Sequence, residues 1–397
     1  MGLNDTPSAN RIHIGFFGRR NAGKSSLLNA VTNQDISVVS EFAGTTTDPV
    51  SKAMELLPAG PVMVIDTPGF DDEGALGELR VKKTKQTLNK TDLAVLVCSA
   101  TDGLKECDRE LIKLFEAKKI PYIIAFNKSD LAEKIPETPN SNEIYVSALT
   151  GYHINELKEK IAAVAKAQDS GTRLVGDLLS ENELIILVIP IDSSAPKGRI
   201  ILPQQQVIRD ALDVGAQILC VKETELENAL TTLGKKPGLV ITDSQAFAKV
   251  MKIVPTDIAL TSFSILMARS KGFLKIAAEG AYALDNLSDG DRVLICEGCT
   301  HHRQCEDIGT VKLPSWISSY TGKKLQFEFT SGTYFPEDLS PYSVIIHCGG
   351  CMLTERAVKE RMLSAVDAKI PFTNYGTTIA HINGILKRAL EPVADYL

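Results

Sequence analysis

The run Gly18-Arg-Arg-Asn-Ala-Gly23-Lys24-Ser25 limits this chain more than any other feature. It lies between a strand-like apolar segment, Arg11 to Phe17, and a helix-like one, Ser25 to Val31. That setting makes a short pattern credible as a phosphate loop. Glycines let backbone N–H groups face inward around phosphates, Lys24 adds a point charge at the β and γ positions, and the Ser25 hydroxyl can bind magnesium. Strand signals continue at Pro61 to Ile65, Asp92 to Cys98, Ile120 to Phe126 and Glu143 to Val146, and a helix with one apolar face follows from Ile154 to Ala167. This alternation predicts an α/β fold with a doubly wound parallel sheet.

The companions of the loop narrow the nucleotide. Asp66-Thr-Pro-Gly69 follows a strand, which places a carboxylate near magnesium and the Gly69 N–H near the γ-phosphate. Asn127-Lys128-Ser-Asp130 follows another strand, and the Asp130 carboxylate can accept from the guanine N1–H and exocyclic amine, a donor pair that adenine lacks. GTP is therefore expected rather than ATP. Ser147-Ala148-Leu149 resembles the last guanine-contacting loop of GTPases, and Gly44-Thr-Thr-Thr-Asp48 occupies the place of a first switch, where Thr46 closes over magnesium when a γ-phosphate is present. The nucleotide contacts expected are Asn21, Ala22, Gly23, Lys24, Ser25, Ser26, Thr46, Asp66, Asn127, Lys128, Asp130, Ser147 and Ala148, with Lys24, Thr46, Asp66 and Gly69 serving hydrolysis.

Taken singly, these residues could serve tight turns or helix caps. In this order, each after a strand, they specify a GTPase, and residues 10–167 resemble the Era-like, tRNA-modifying branch of that class. Phe70 stands where Ras-type enzymes place the glutamine that orients the attacking water, so slow intrinsic turnover is expected. Asn21 matches the asparagine that coordinates potassium in cation-activated relatives, although a plain turn residue is the alternative. The acidic run Asp71, Asp72 and Glu73 could position water, although as a charge run it reads first as a solvated switch face.

A chain of 397 residues suggests two or three domains. Its 43 basic and 49 acidic side chains leave a net charge of -6, which offers no broad basic field for nucleic acid or anionic lipid. The longest apolar run, Leu184 to Ile189, stops at Pro190, far short of the roughly 20 residues of a spanning helix. Met1 to Arg11 is polar and carries no export signal, so a cytoplasmic protein without membrane or nucleic-acid partners is expected. Past the first segment, short apolar runs alternate with helix-length stretches twice more. The expected division is 1–170 for the nucleotide domain, then 171–268 and 269–397 for two further α/β domains with mainly parallel sheets.

Eight cysteines are too sparse for a disulfide scaffold, and Cys296, Cys299, Cys305, Cys348 and Cys351 cluster in the last quarter, which points to a metal site. Cys299-Thr-His301 and His347-Cys348-Gly-Gly-Cys351 lie on loops leaving apolar strands, and thiolates at i and i+3 on a glycine turn can face one centre. Spacing alone also permits a four-cysteine zinc site of Cys296, Cys299, Cys348 and Cys351. Cys296 ends an apolar run and reads as packed, and Cys305 reads as a spare thiol.

Over nearly its full length, this combination of an Era-like GTPase, a middle α/β segment and a terminal C-x-H with H-C-x-x-C resembles the FeFe-hydrogenase maturation GTPases, the HydF family. The resemblance implies a 4Fe-4S cluster held by Cys299, Cys348 and Cys351 with an exchangeable fourth position, His301 and His347 being part of the same motif. It further implies a homodimer formed through the middle domain. The implied role is a GTP-hydrolysing scaffold that works with radical-SAM maturases and delivers a di-iron precursor to apo FeFe-hydrogenase. GTP, Mg2+, K+ and the cluster are the cofactors expected. A GTPase acting on tRNA or ribosomes, with structural zinc at the terminal cysteines, is the competing reading, and only Lys323 and Lys324 hint at the basic surface it needs.

Overall fold

The computed structural model describes residues 8–33, 50–70, 84, 86–135, 140–167, 173–191, 200–298 and 307–397. The chain forms two compact units, Met1–Ser170 and Gly171–Leu397.

The first unit is built on a six-stranded sheet in the order β2-β3-β1-β4-β5-β6. Its strands are β1 Ile12–Phe17, β2 Val50–Leu56, β3 Gly60–Asp66, β4 Leu93–Ser99, β5 Tyr122–Asn127 and β6 Glu143–Tyr145. The helices α1 Lys24–Thr32, α2 Glu106–Ala117 and α3 Ile154–Ala167 accompany it. β4 is buried along its whole length. Its alternate residues feed two cores: Val95 and Val97 join Leu27, Leu28, Leu157 and Ile161, whereas Ala94, Leu96 and Cys98 join Leu111, Phe115 and Phe126. A strand covered on both faces must read as an unbroken apolar run, and this one does.

The sheet is mixed rather than wholly parallel. β2 pairs antiparallel with β3, Val50 opposite Asp66 and Leu56 opposite Gly60. In β2 exposed residues alternate with half-buried ones up to Leu56, so an edge strand half in water shows no apolar run to mark it.

The second unit holds two four-stranded parallel sheets, ordered β10-β9-β7-β8 and β12-β11-β13-β14. The first comprises β7 Leu184–Val188, β8 Gln217–Val221, β9 Leu239–Thr242 and β10 Ala259–Ser262; the second comprises β11 Arg292–Glu297, β12 Gln326–Ser331, β13 Val344–His347 and β14 Phe372–Asn374. One continuous apolar core includes Ile186 and Leu187 from the first sheet and Leu294, Ile295 and Ile345 from the second. Between them runs α4, Phe263–Ser270, capped by the Ser262 hydroxyl, which accepts from the Ile265 N–H. Phe263, Ile265, Leu266, Met267 and Ala268 of this helix are all buried, so it lacks the one-sided stripe by which surface helices are read. Asn374 donates to Ser264 O at 2.9 Å, tying the end of β14 to α4. α5, Glu355–Asp367, and α6, Tyr375–Ile382, complete the surroundings of the cysteine loops. No helix among the described residues is long and apolar enough to cross a membrane.

Candidate functional site

The parallel strands β1, β3 and β5 end on one edge of the first sheet, and their C-terminal loops carry the motif residues, the usual place for a ligand in a doubly wound fold. Asn21 has φ 61° and Gly23 φ 85°. A Cβ on Gly23 would lie 2.3 Å from Asn127 Nδ2, so only glycine lets the loop and β5 approach this closely. Asn127 uses that approach: Nδ2 donates to Ala22 O and Gly23 O, both at 3.3 Å, and Oδ1 accepts from the Ala148 N–H at 3.0 Å. Lys128 donates to Asn21 O at 2.8 Å. The phosphate loop and two guanine loops are thus one hydrogen-bonded body.

Lys24 is buried and its ammonium donates to Gly18 O at 3.0 Å and Arg19 O at 2.8 Å, across the mouth of the loop. Ser25 Oγ donates to Asp66 Oδ2 at 2.9 Å. The other carboxylate oxygen, Asp66 Oδ1, is buried without a hydrogen-bond partner. Burial raises the Asp66 pKa, opposed by the Ser25 hydrogen bond and the Lys24 charge. An oxygen left in this state beside a hydroxyl suits a hard divalent cation, so these residues fit magnesium. Thr67 Oγ1 donates to Phe16 O at 2.6 Å and the Phe70 N–H to Gly18 O at 3.3 Å, which holds Gly69 and Phe70 against the loop. Asp130 is exposed, and its Oδ1 accepts from Ser147 Oγ at 2.5 Å. That bond aims the carboxylate while leaving Oδ2 for a base. Ser26 is exposed on the first turn of α1. Thr46, with the first switch 44–48 and the acidic run 71–73, lies outside the described residues.

Motif reading missed Arg19. Its Nε donates to Asp108 Oδ2 at 3.0 Å, and its terminal nitrogens reach Asp102 Oδ2 and Gly103 O at 3.5 Å. Asp108 is fully buried and also accepts from the Lys105 N–H. Arg19 therefore ties the phosphate loop to the loop before α2. The only sequence signal was an arginine at a loop position whose residue type the phosphate-loop pattern leaves open.

The cysteine loops follow β11 and β13. Cys296 sits opposite both His347 and Thr330 in the sheet and is fully buried; burial pushes its thiol up to about 12, as befits a packed residue. Cys348 and Cys351 are half-buried. The turn between them uses Gly350 at φ 65°, where a Cβ would meet Val358 Cγ2 at 2.8 Å. Cys348 Sγ accepts from the Gly298 N–H at 3.1 Å and the Gly350 N–H at 3.3 Å. Burial raises the thiol pKa of Cys348, and these two donors oppose it; that of Cys351 rises to about 11. N–H groups aimed at a sulfur favour its thiolate, so the donor set fits a thiolate-ligated metal centre. Cys299, His301 and Cys305 lie outside the described residues.

His347 is fully buried with both ring nitrogens engaged. Nε2 faces Arg361 at 3.0 Å and must accept, since a guanidinium only donates, so Nδ1 carries the proton and donates to Cys348 O at 2.7 Å. Burial, aided by the Arg361 charge, brings the imidazole down to about 3. In this arrangement His347 has no nitrogen left for a metal.

Comparison with known proteins divides the chain in three. The profile described as 50S ribosome-binding GTPase matches residues 13–128, hydrogen maturase F dimerization domain matches 174–272, and hydrogen maturase F tetramerization domain matches 275–392. GTPase Der of Mycoplasmopsis pulmonis is 30% identical over 200 residues, covering 45% of this chain and 46% of that protein. The tRNA modification GTPase MnmE of Lactococcus lactis is 37% identical over 146 residues, 36% of this chain and 31% of the relative. This chain thus spans less than half the length of either curated relative. Era from Aquifex aeolicus, solved with GDP and aluminium fluoride, is 20% identical over 56% of this chain and 98% of its own, with a TM-score of 0.35. With both maturase domains behind a GTPase domain, the chain belongs to the hydrogen maturase F family of GTPases.

Proposed function

We propose that this protein hydrolyses GTP and acts in the maturation of FeFe-hydrogenase, as a scaffold that holds a 4Fe-4S cluster and passes a di-iron precursor to the apo-enzyme. The observation that carries this reading is the presence, in one chain, of a GTPase domain and both hydrogen maturase F domains, the last bearing Cys348 and Cys351 on one glycine turn.

In hydrolysis, Lys24 neutralises charge at the β and γ phosphates, the Gly69 N–H donates to the γ-phosphate, and Asp130 selects guanine. Magnesium, held by Ser25 and Asp66, would supply Lewis-acid stabilisation of the same phosphates. Asn21 would add a potassium ligand beside them, and Phe70 stands where Ras-type enzymes place the water-orienting glutamine, which supports slow basal turnover. Cys299, Cys348 and Cys351 would hold the cluster and leave one iron open. His347 acts here as neutral support for Cys348. The domain descriptions support self-association, a dimer through 174–272 and a higher assembly through 275–392. Radical-SAM maturases and apo-hydrogenase are the partners proposed.

Anaerobic purification, iron and zinc analysis, and electron paramagnetic resonance of the reduced protein test the reading. Iron and sulfide with a reduced-cluster signal are expected, lost in Cys348→Ser. Zinc without iron would overturn it in favour of a GTPase acting on tRNA or ribosomes, the reading suggested by the descriptions attached to the GTPase domain alone. Equal turnover in potassium and sodium would remove the role of Asn21.

A further inference from the structure

Arg361, on α5, is buried to 6% exposure. Its NH1 donates to His347 Nε2 at 3.0 Å and its NH2 to Gly332 O at 2.7 Å. Both acceptors are uncharged lone pairs: Gly332 offers a carbonyl, and His347 Nε2 must accept because a guanidinium only donates. Among the described residues no carboxylate forms an ion pair with this guanidinium. Burying an unpaired charge is costly, and buried arginines are ordinarily matched by an anion. Cys296 and Cys348 lie close enough that a thiolate on either would act on Arg361, and of these only Cys348 belongs to the metal motif. A second buried cation flanks the same loop: Lys271, at the end of α4, donates to Leu353 O at 2.6 Å, and its charge bears on Cys351 and His347. The buried carboxylate at the centre, Glu297, bears on Cys348 and accepts from Tyr375 at 3.3 Å.

We propose that Arg361, with Lys271 on the other side of the 348–353 loop, is the built-in counter-charge for an anionic thiolate-ligated cluster, and that through His347 it also fixes the peptide of Cys348. Arg361 is a positioning residue in this scheme, acting by its charge and through the imidazole rather than by touching a metal. The inference rests on the cluster reading above. One reduction adds an electron to a centre that is already anionic, so a fixed cation nearby favours the reduced form and raises the midpoint potential.

The test compares wild-type protein, R361Q, R361K and K271Q, each reconstituted anaerobically with iron and sulfide, by iron content and by spectroscopic redox titration. R361Q should lower the midpoint potential, R361K should restore most of it by keeping the charge, and K271Q should lower it by a smaller step. An R361Q protein with full iron and the wild-type potential overturns the proposal. If R361Q holds no iron, K271Q decides: a lowered potential upholds the proposal and an unchanged one overturns it. If wild-type protein itself takes up no cluster, the cluster reading fails first and this inference with it, a result distinct from an unshifted variant.

Discussion

At the phosphate loop, charged groups answer one another or a well-placed oxygen: Arg19 meets Asp108 and Asp102, Ser25 meets Asp66, and Ser147 meets Asp130. At the cysteine loops, the buried Arg361 and Lys271 donate to an imidazole and to backbone carbonyls. In the first site, besides these pairs, the Lys24 ammonium donates to two backbone carbonyls and Asp66 Oδ1 is left unbonded, where the motif expects phosphate and magnesium. In the second, Glu297 is the buried carboxylate beside Cys348, no carboxylate among the described residues forms an ion pair with Arg361, and a thiolate at Cys348 would supply an opposing charge. One site is poised by geometry, the other by electrostatic demand.

The contrast is sharpest in what single substitutions do. Lys24→Ala should reduce GTP turnover by about 10²–10³-fold, because a charge aimed at the phosphates is lost, while iron content stays at the wild-type level; a parallel loss of iron would show that the two sites are not separable. Asp130→Asn should weaken GTP about 10- to 100-fold, the range for a charge-assisted hydrogen bond. It should improve binding of xanthosine triphosphate, whose 2-oxo group accepts from an amide, and competition binding measures both. Arg19→Ala leaves the buried Asp108 without its cation and should destabilise the first unit by about 2–3 kcal/mol in urea unfolding; an unchanged midpoint would break the picture of paired charges.

A pH effect separates the second unit. His347 sits at about 3 in the fold against an ordinary 6.5. Between those values the unfolded chain binds a proton that the folded chain refuses, so this contribution is complete above pH 6.5 and shrinks as the pH falls toward 3. Apoprotein should therefore unfold at lower urea at pH 5 than at pH 7. His347→Asn, which keeps a donor for Cys348 O, should show a shallower slope. The smallest effect belongs to Cys296→Ala, about 1 kcal/mol of stability with iron retained; loss of iron would instead make Cys296 a ligand and restore the four-cysteine zinc alternative.

The nucleotide site was legible because its chemistry is local: each motif residue leaves a strand, and the strands are apolar runs. β2 was not, since an edge strand half in water has no such run, and α4 was not, since a helix buried on nearly every side has no stripe. The cysteine spacing was readable, but the environment of Cys348 was not. Arg361, Lys271 and Gly298 come from three separate segments, and only packing brings them to one loop. His347 illustrates the limit: beside a cysteine pair it reads as a ligand or as a supporting group, and only packing shows Arg361 at its second nitrogen.

The shared interior of the second unit couples its two sheets. Because Ile186 and Ile345 belong to one core, neither sheet can melt while the other persists, and the unit should lose its structure in a single cooperative step. Whatever clamps the Cys348 turn then adds its binding free energy to strands β7 to β10 as well. Slowed amide exchange in β9, on the other sheet from the cysteines, would register a metal centre bound at the Cys348 turn.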